Sequence, residues 1–282
     1  MAKASTAAAQ KFPTEVATTQ AAPPLTVVDD LTDQFIGDSG QGREKVGVKD
    51  MAIPFWVILQ KTSPEVDKAT GSYVPGAEQG MIFNTVTKEC LSGDDGIEVL
   101  PCFYEKIVIE WTPRESGGGL VAVHASDTPL LATAGRNEKN QFVKAGSQNL
   151  LVETAQHYVV LKRPDGTTES GLVAMASTQL KASRQWNSLM AAVQLVGRNG
   201  QPFNPPTFSK FYRLTTAAQS NNHGSWFGWK VEALDFVKSK TMYETAKALY
   251  EAVKLGTVVA RPTRQEDGDG PEAAGKSGPS PY

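Results

Sequence analysis

Phe208-Ser-Lys-Phe-Tyr-Arg-Leu-Thr-Thr216, the turn Ser220-Asn-Asn-His-Gly224 and the run Ser225-Trp-Phe-Gly-Trp-Lys-Val-Glu232 decide the fold of this chain. Both outer runs are rich in aromatic and branched residues, and small polar residues with a glycine separate them. That is the pattern of two strands joined by a turn. Alternation in the second run sends Phe227, Trp229 and Val231 to one face and Trp226, Gly228 and Lys230 to the other. The first face is the more apolar and is assigned to the core. Trp226 beside Lys230 then faces solvent, and Gly228 between them leaves room for a flat ligand.

Upstream, Ser177–Val196 has helical spacing. Lys181, Arg184 and Ser188 share one side, and Trp186, Leu189, Met190 and Val193 share another, which assigns Trp186 to the core and the cations to a solvated face. The proline-rich Gln201–Pro206 reads as a loop. Downstream, Lys240–Leu255 is a second helix, with Gly256 placed to cap it. Toward the N-terminus, Ile53–Leu59 reads as a buried strand with Pro54 at its start, where a missing N–H is tolerated. Met81–Thr87, Ile97–Thr112, Leu120–His124, Leu150–Arg163 and Gly171–Ala176 follow as strands. Pro101 is a candidate break in the longest of them. Pro113–Gly119, holding Arg114, is a flexible connection, Pro164-Asp-Gly166 is a turn, and residues 125–148 form an irregular excursion. Strands do not alternate with helices, which argues against a doubly wound sheet. The expectation is a mainly β body with two helices: an OB-like barrel, of the oligonucleotide-binding kind, or a strongly curled antiparallel sheet with insertions.

The 282 residues are 40% hydrophobic and 21% charged, ordinary values that predict a packed body. That body is expected over 43–260. Residues 1–42 and 261–282 have few large apolar side chains and are expected to be disordered. No apolar run approaches the roughly 18 residues of a membrane span, and the N-terminus lacks the apolar core of a secretory signal. Two cysteines, Cys90 and Cys102, make no disulfide framework, which points to a reduced, cytoplasmic compartment. The net charge of −2 hides a pattern: residues 1–40 and 265–282 each carry −3, leaving +4 on 41–264. A mildly basic body between acidic ends suits a polyanion as partner.

Three motifs fail on context. Gly270-Pro-Glu-Ala-Ala-Gly-Lys-Ser277 spells a phosphate-binding loop. Polar and acidic residues precede it, and Gly-Pro-Ser-Pro follows where the chemistry needs a strand before and a helix after. Gly37-Asp-Ser-Gly40 has the lettering of a serine-protease nucleophile loop, but it lies in a segment with no sign of a base and orienting acid beside it. Cys90, Cys102, His124 and His157 lack metal-ligand spacing. No metal or other cofactor is expected. No carboxylates cluster on adjacent strands as a two-metal enzyme requires, so the chain is expected not to be an enzyme.

What remains is a set of cations interleaved with aromatics: Lys106, Trp111, Arg114, Lys162, Lys181, Arg184, Arg213, Trp226 and Lys230. Lysine and arginine hold phosphates, and exposed rings stack bases regardless of sequence. A barrel that gathers these side chains into one groove would bind single-stranded nucleic acid. The acidic C-terminal tail, with Glu266, Asp267, Asp269, Glu272 and the terminal Tyr282, supplies a tethered anion that competes for such a groove or docks on basic replication proteins.

Five segments carry a resemblance: Pro75-Gly-Ala-Glu-Gln-Gly-Met-Ile-Phe-Asn-Thr-Val86, Ile97-Glu-Val-Leu-Pro-Cys-Phe-Tyr104, Ser177-Thr-Gln-Leu-Lys-Ala-Ser-Arg-Gln-Trp-Asn-Ser-Leu-Met190, Tyr212-Arg-Leu-Thr-Thr216 and Gly224-Ser-Trp-Phe-Gly-Trp-Lys230. Over roughly 50–260 the chain resembles single-stranded DNA-binding proteins from the replication modules of tailed bacteriophages. The resemblance implies an OB-type barrel, work in DNA replication and recombination in the host cytoplasm, and partner recruitment through the acidic tail. The tail departs from that pattern in its sparse acid, in Lys276 and in ending on tyrosine. A strand-rich body with irregular ends also fits a capsid or decoration subunit of the virion, which is the alternative expectation. Oligomeric state is not legible.

Overall fold

The computed structural model describes residues 31–39, 41–42, 44–45, 52–221 and 224–260. Strands β1 (Trp56–Ile58), β2 (Ile82–Asn84) and β3 (Cys90–Leu91) make a small antiparallel sheet. The main sheet contains β4 (Ile97–Trp111), β5 (Leu120–Ala125), β6 (Gly135–Arg136), β7 (Phe142–Val143), β8 (Leu150–Lys162) and β9 (Thr168–Ala176). A separate two-stranded hairpin, β10 (Leu195–Val196) with β11 (Pro202–Phe203), interrupts it in sequence. The main sheet is completed by β12 (Lys210–Asn221) and β13 (Gly224–Phe236). The helices are α1 (Thr32–Gly37), α2 (Leu130–Thr133), α3 (Leu180–Ala191) and α4 (Lys240–Lys254).

The expected mainly β architecture with a strongly curled antiparallel sheet is what the chain forms. Two further helices, α1 and α2, have six and four residues, too few to leave a period in the sequence. The proline-rich loop holds β11, because Pro202 sits on a short hairpin where no ladder hydrogen bond is lost from a larger sheet. Pro101 does not break β4. The strand runs on through it, and the register with β8 shifts between Pro101 and Phe103. An extra residue in one strand bends it and increases its twist, so the irregularity produces curl rather than an end.

In the curled part the strand order is β9-β8-β4-β12-β13, each pair antiparallel. β1 lies between the two edges of this array. Phe55 bridges Leu172 of β9 in parallel, and the Leu172 N–H donates to the Pro54 carbonyl at 2.9 Å. On the other side Gln60 takes the role of a strand: its Nε2 donates to the Phe227 carbonyl and its Oε1 accepts from the Phe227 N–H, both at 2.9 Å. Gln179 covers the next step, donating to the Phe227 carbonyl and accepting from the Trp229 N–H at 3.0 Å. Two glutamine side chains thus satisfy the β13 edge that an open sheet would leave bare.

The sheet has an inner and an outer core. Inside the curl, Trp56, Val99, Ala155, Val159, Val173, Met175, Tyr212, Leu214 and Trp229 pack together. α3 plugs one end with Trp186, which is fully buried and stacks on the His157 ring at 4.3 Å and 19°. Truncating such a residue to alanine costs about 3–5 kcal/mol. Outside the curl, Ala246, Leu249 and Val253 of α4 cover Leu100, Cys102, Tyr158, Val160, Phe208 and Phe211. α4 begins where the Ser239 hydroxyl accepts from the Met242 N–H, and Gly256 follows it at φ +67, the left-handed stop expected of a glycine. Beyond the curl, β4, β5, β8 and β7 continue as an arm with its own small core of Ile107, Ile109, Trp111 and Leu150.

The small sheet docks by close approach. Thr216 donates its N–H to the Gly93 carbonyl at 2.9 Å and its hydroxyl to the Gly80 carbonyl at 2.6 Å. A Cβ on Gly93 would fall 2.1 Å from the Gly80 carbonyl oxygen, so only glycine fits there. Arg163 closes the other flank, bidentate to Glu89 at 2.7 and 2.8 Å and bonded also to Glu169.

Candidate functional site

The register of four strands brings two of the expected cations into one row. Lys162 on β8 pairs with Glu98 on β4, Glu98 pairs with Arg213 on β12, and Arg213 pairs with Glu232 on β13. Neighbouring strands are about 4.8 Å apart, so Lys162 and Arg213 stand roughly 10 Å apart with Glu98 between them. They use it. Arg213 Nη2 donates to Glu98 Oε1 at 2.8 Å, and Lys162 Nζ donates to Oε2 at 3.2 Å. The Arg213 hydrogen bond, seconded by Lys162, holds the Glu98 carboxyl below the usual carboxylate range against the cost of its partial burial.

This row faces out of the curl, at the margin of the surface that α4 covers. It opens into a groove of 690 Å³ whose walls include Phe211, Leu234, Phe236 and Met242, with Lys238 and Ser239 at the start of α4. Lys162 Nζ stands 5.6 Å over the Phe211 ring, and Lys210 Nζ stands 4.9 Å over the Phe236 ring. Cation and ring therefore alternate along this face.

Lys230 and Trp226 lie on the same outer face, farther along β13. Lys230, exposed, pairs with Thr215, one step past the Arg213 row, and Trp226 pairs with Gln219 two steps beyond that. At about 6.6 Å per same-face step, the track from Arg213 to Trp226 spans roughly 20 Å. The inner face of β13 is apolar as expected, with Trp229 and Val231 buried. The space predicted over Gly228 is, however, filled. A Cβ there would fall 2.3 Å from Gln219 Nε2, because the Gln219 side chain lies across the glycine. Gln219 Oε1 also accepts the Trp226 indole N–H at 3.1 Å, and Trp226 is half-buried rather than freely exposed.

The remaining candidates lie elsewhere, so the set is not gathered into this groove. Lys106 points to the inner side of the arm and pairs with Glu153. Trp111 is buried in the core of the arm and offers no open ring. Arg114 is in the turn Arg114–Ser116 at the tip of the arm. Lys181 and Arg184 are exposed on the solvent side of α3, opposite Ser183 and Trp186. The reason is geometric: the arm carries residues 106–114 away from the curl, and α3 turns its basic side outward in order to bury Trp186. The tail residues Glu266, Asp267, Asp269, Glu272 and Tyr282, and the Gly270–Ser277 motif, lie outside the described residues.

Sequence reasoning missed Glu98 and Gln219 as members of the site. Glu98 is 64 residues from Lys162 and 115 from Arg213. No local signal reports a register set over such separations. Cys90 and Cys102 are both buried, in different clusters, and burial pushes their thiols up to about 11 and about 12. They are small buried hydrophobes. Among the described residues no three His, Cys, Asp or Glu side chains are grouped to hold a metal ion, and no helix is long and apolar enough to cross a membrane.

A protein-family model described as Pam3 phage gp34-like protein matches residues 3–259. No curated protein and no solved structure matches.

Proposed function

The chain belongs to the Pam3 phage gp34-like family, and from that premise we propose that this bacteriophage protein binds single-stranded DNA without sequence preference, as a non-enzymatic component of phage DNA replication or recombination. The observation that carries the reading is the connectivity. Apart from the arm strands β5, β6 and β7 and the β10–β11 hairpin, the chain runs through β4, β8 and β9, each antiparallel to the one before, then the helix plugging the curl, then the β12–β13 pair, with β12 returning beside β4. That order supports reading the curl as an OB-type barrel, a fold that binds oligonucleotides along its sheet. Fold alone does not assign function, so the site must supply the chemistry.

The outer face of β8 and β9, which OB barrels commonly use, is covered by α4 and Phe55 here. The track is therefore the outer face of β12 and β13, with Arg213 and Lys230 for phosphates, Lys162 beside them at the uncovered end of β8, and the half-buried Trp226 as the stacking ring. Fluorescence anisotropy with labelled single-stranded and duplex oligonucleotides, titrated against salt, tests it. Single strands should bind better than duplex, with little dependence on sequence. With three phosphate contacts the slope of log K against log salt should be no steeper than about −2. Absence of single-strand binding at low salt refutes the reading.

A second reading, a structural subunit of the virion, is favoured by one observation. Among the described residues β5 pairs only with β4, and its side chains Leu120, Val121 and Val123 are 43–48% exposed. An edge strand without lysine, arginine or acid suits assembly with another chain. Detection of the protein in purified particles tests it.

A further inference from the structure

We infer that Glu98 is a built-in substitute for a DNA phosphate, and that binding at this groove proceeds by exchange of its carboxylate for a phosphate on Lys162 and Arg213. The inference rests on the reading just given and concerns what sets the affinity of that site.

The geometry is specific. Each oxygen of Glu98 takes one cation, Oε1 from Arg213 and Oε2 from Lys162, across three adjacent strands. A carboxylate that accepts two charge-assisted hydrogen bonds presents the same acceptor pattern as two oxygens of a phosphodiester. It lines the groove described above, between the two cations. Its side chain and those of its partners are 30–41% exposed, so the exchange needs no opening of the core. Glu232, the cross-strand neighbour of Arg213, adds a second negative charge beside it. With Glu98 in place, two of the three phosphate-binding cations are occupied and only Lys230 is unengaged by that carboxylate.

The consequence is weak, readily reversed binding with a shallow salt dependence. A phosphate arriving at Lys162 or Arg213 displaces a partner already there, so fewer counterions are released than the cation count suggests. Such a protein would cover single strands and yield them quickly to a polymerase or recombinase class of enzyme.

Glu98→Gln removes the charge and keeps the shape. Single-strand affinity should rise on the order of tenfold at about 0.05 M salt, and the salt slope should steepen from near −0.7 toward about −2 as two more cations become available. Glu153→Gln makes the same change of net charge on the arm, beside Lys106, and should move neither quantity comparably. In the Glu98→Gln background, Lys162→Gln with Arg213→Gln should cancel the gain. If wild-type protein binds single strands but Glu98→Gln leaves affinity and slope unchanged, or shifts them no more than Glu153→Gln, the exchange is overturned while single-strand binding stands. If neither wild type nor Glu98→Gln binds, single-strand binding itself fails.

Discussion

Acidification from pH 7 to pH 5 should destabilise this protein through one side chain, His157. It is fully buried on β8, between the Trp186 indole and the Tyr104 ring, with Nε2 2.8 Å from the Ser183 hydroxyl. Among the described residues no carboxylate pairs with it, and burial pushes its pKa down from 6.5 to about 3. In the unfolded chain the imidazole regains an ordinary pKa near 6.5. The unfolded state therefore binds a proton first as pH falls, and the contribution of neutral His157 is complete above about 6.5 and is lost progressively toward about 3. At pH 5 the linkage relation gives a loss of ~2 kcal/mol relative to pH 7. Against a typical total of about 5–15 kcal/mol that is readily measured. Urea unfolding at pH 7, 6 and 5 should show the midpoint falling at constant m-value. In His157→Gln, which keeps a partner for Ser183 but cannot charge, stability at pH 7 is lower, and the drop between pH 7 and 5 shrinks by that ~2 kcal/mol. The same pH dependence in variant and wild type would refute the assignment to His157. A wild-type midpoint that does not move over this range would refute it equally.

Three further outcomes follow from the same contacts. Gln60→Leu leaves the part-buried Phe227 N–H without its acceptor and should cost about 1–3 kcal/mol in urea unfolding; a change of a few tenths would mean that the β13 edge is not held by this side chain. Trp226→Ala should weaken single-strand binding by about 1–3 kcal/mol, equally for all base compositions, while leaving the unfolding midpoint nearly in place; unchanged affinity removes Trp226 from the track. Lys230→Gln should lower the salt slope by about 0.7 without altering sequence preference, whereas Lys181→Gln, on the solvent side of α3, should not change it. An equal effect of the two would indicate diffuse attraction rather than a track.

Much of the fold was legible because it rests on local periods. Alternation in Ser225–Glu232 sorted Trp229 and Val231 inward, and both are buried. Helical spacing assigned Trp186 to an apolar face, and it is fully buried. Composition and alternation specify which side of an element is apolar, since that depends only on residues a few positions apart. The short helices and the β10–β11 hairpin left no such trace because they complete no period.

The candidate site was legible in composition and not in place. The sequence determined that cations and rings are interleaved in a mildly basic body, and that Trp226 and Lys230 share a face of their strand. Only the tertiary structure decided which cations meet. Register over 64 and 115 residues seated Lys162 and Arg213 on either side of Glu98, the arm carried Lys106, Trp111 and Arg114 away, and Gln219 closed the gap over Gly228. The physical reason is that a strand fixes the face of its side chains by itself, whereas its neighbours are chosen by how the whole sheet curls to bury its two cores.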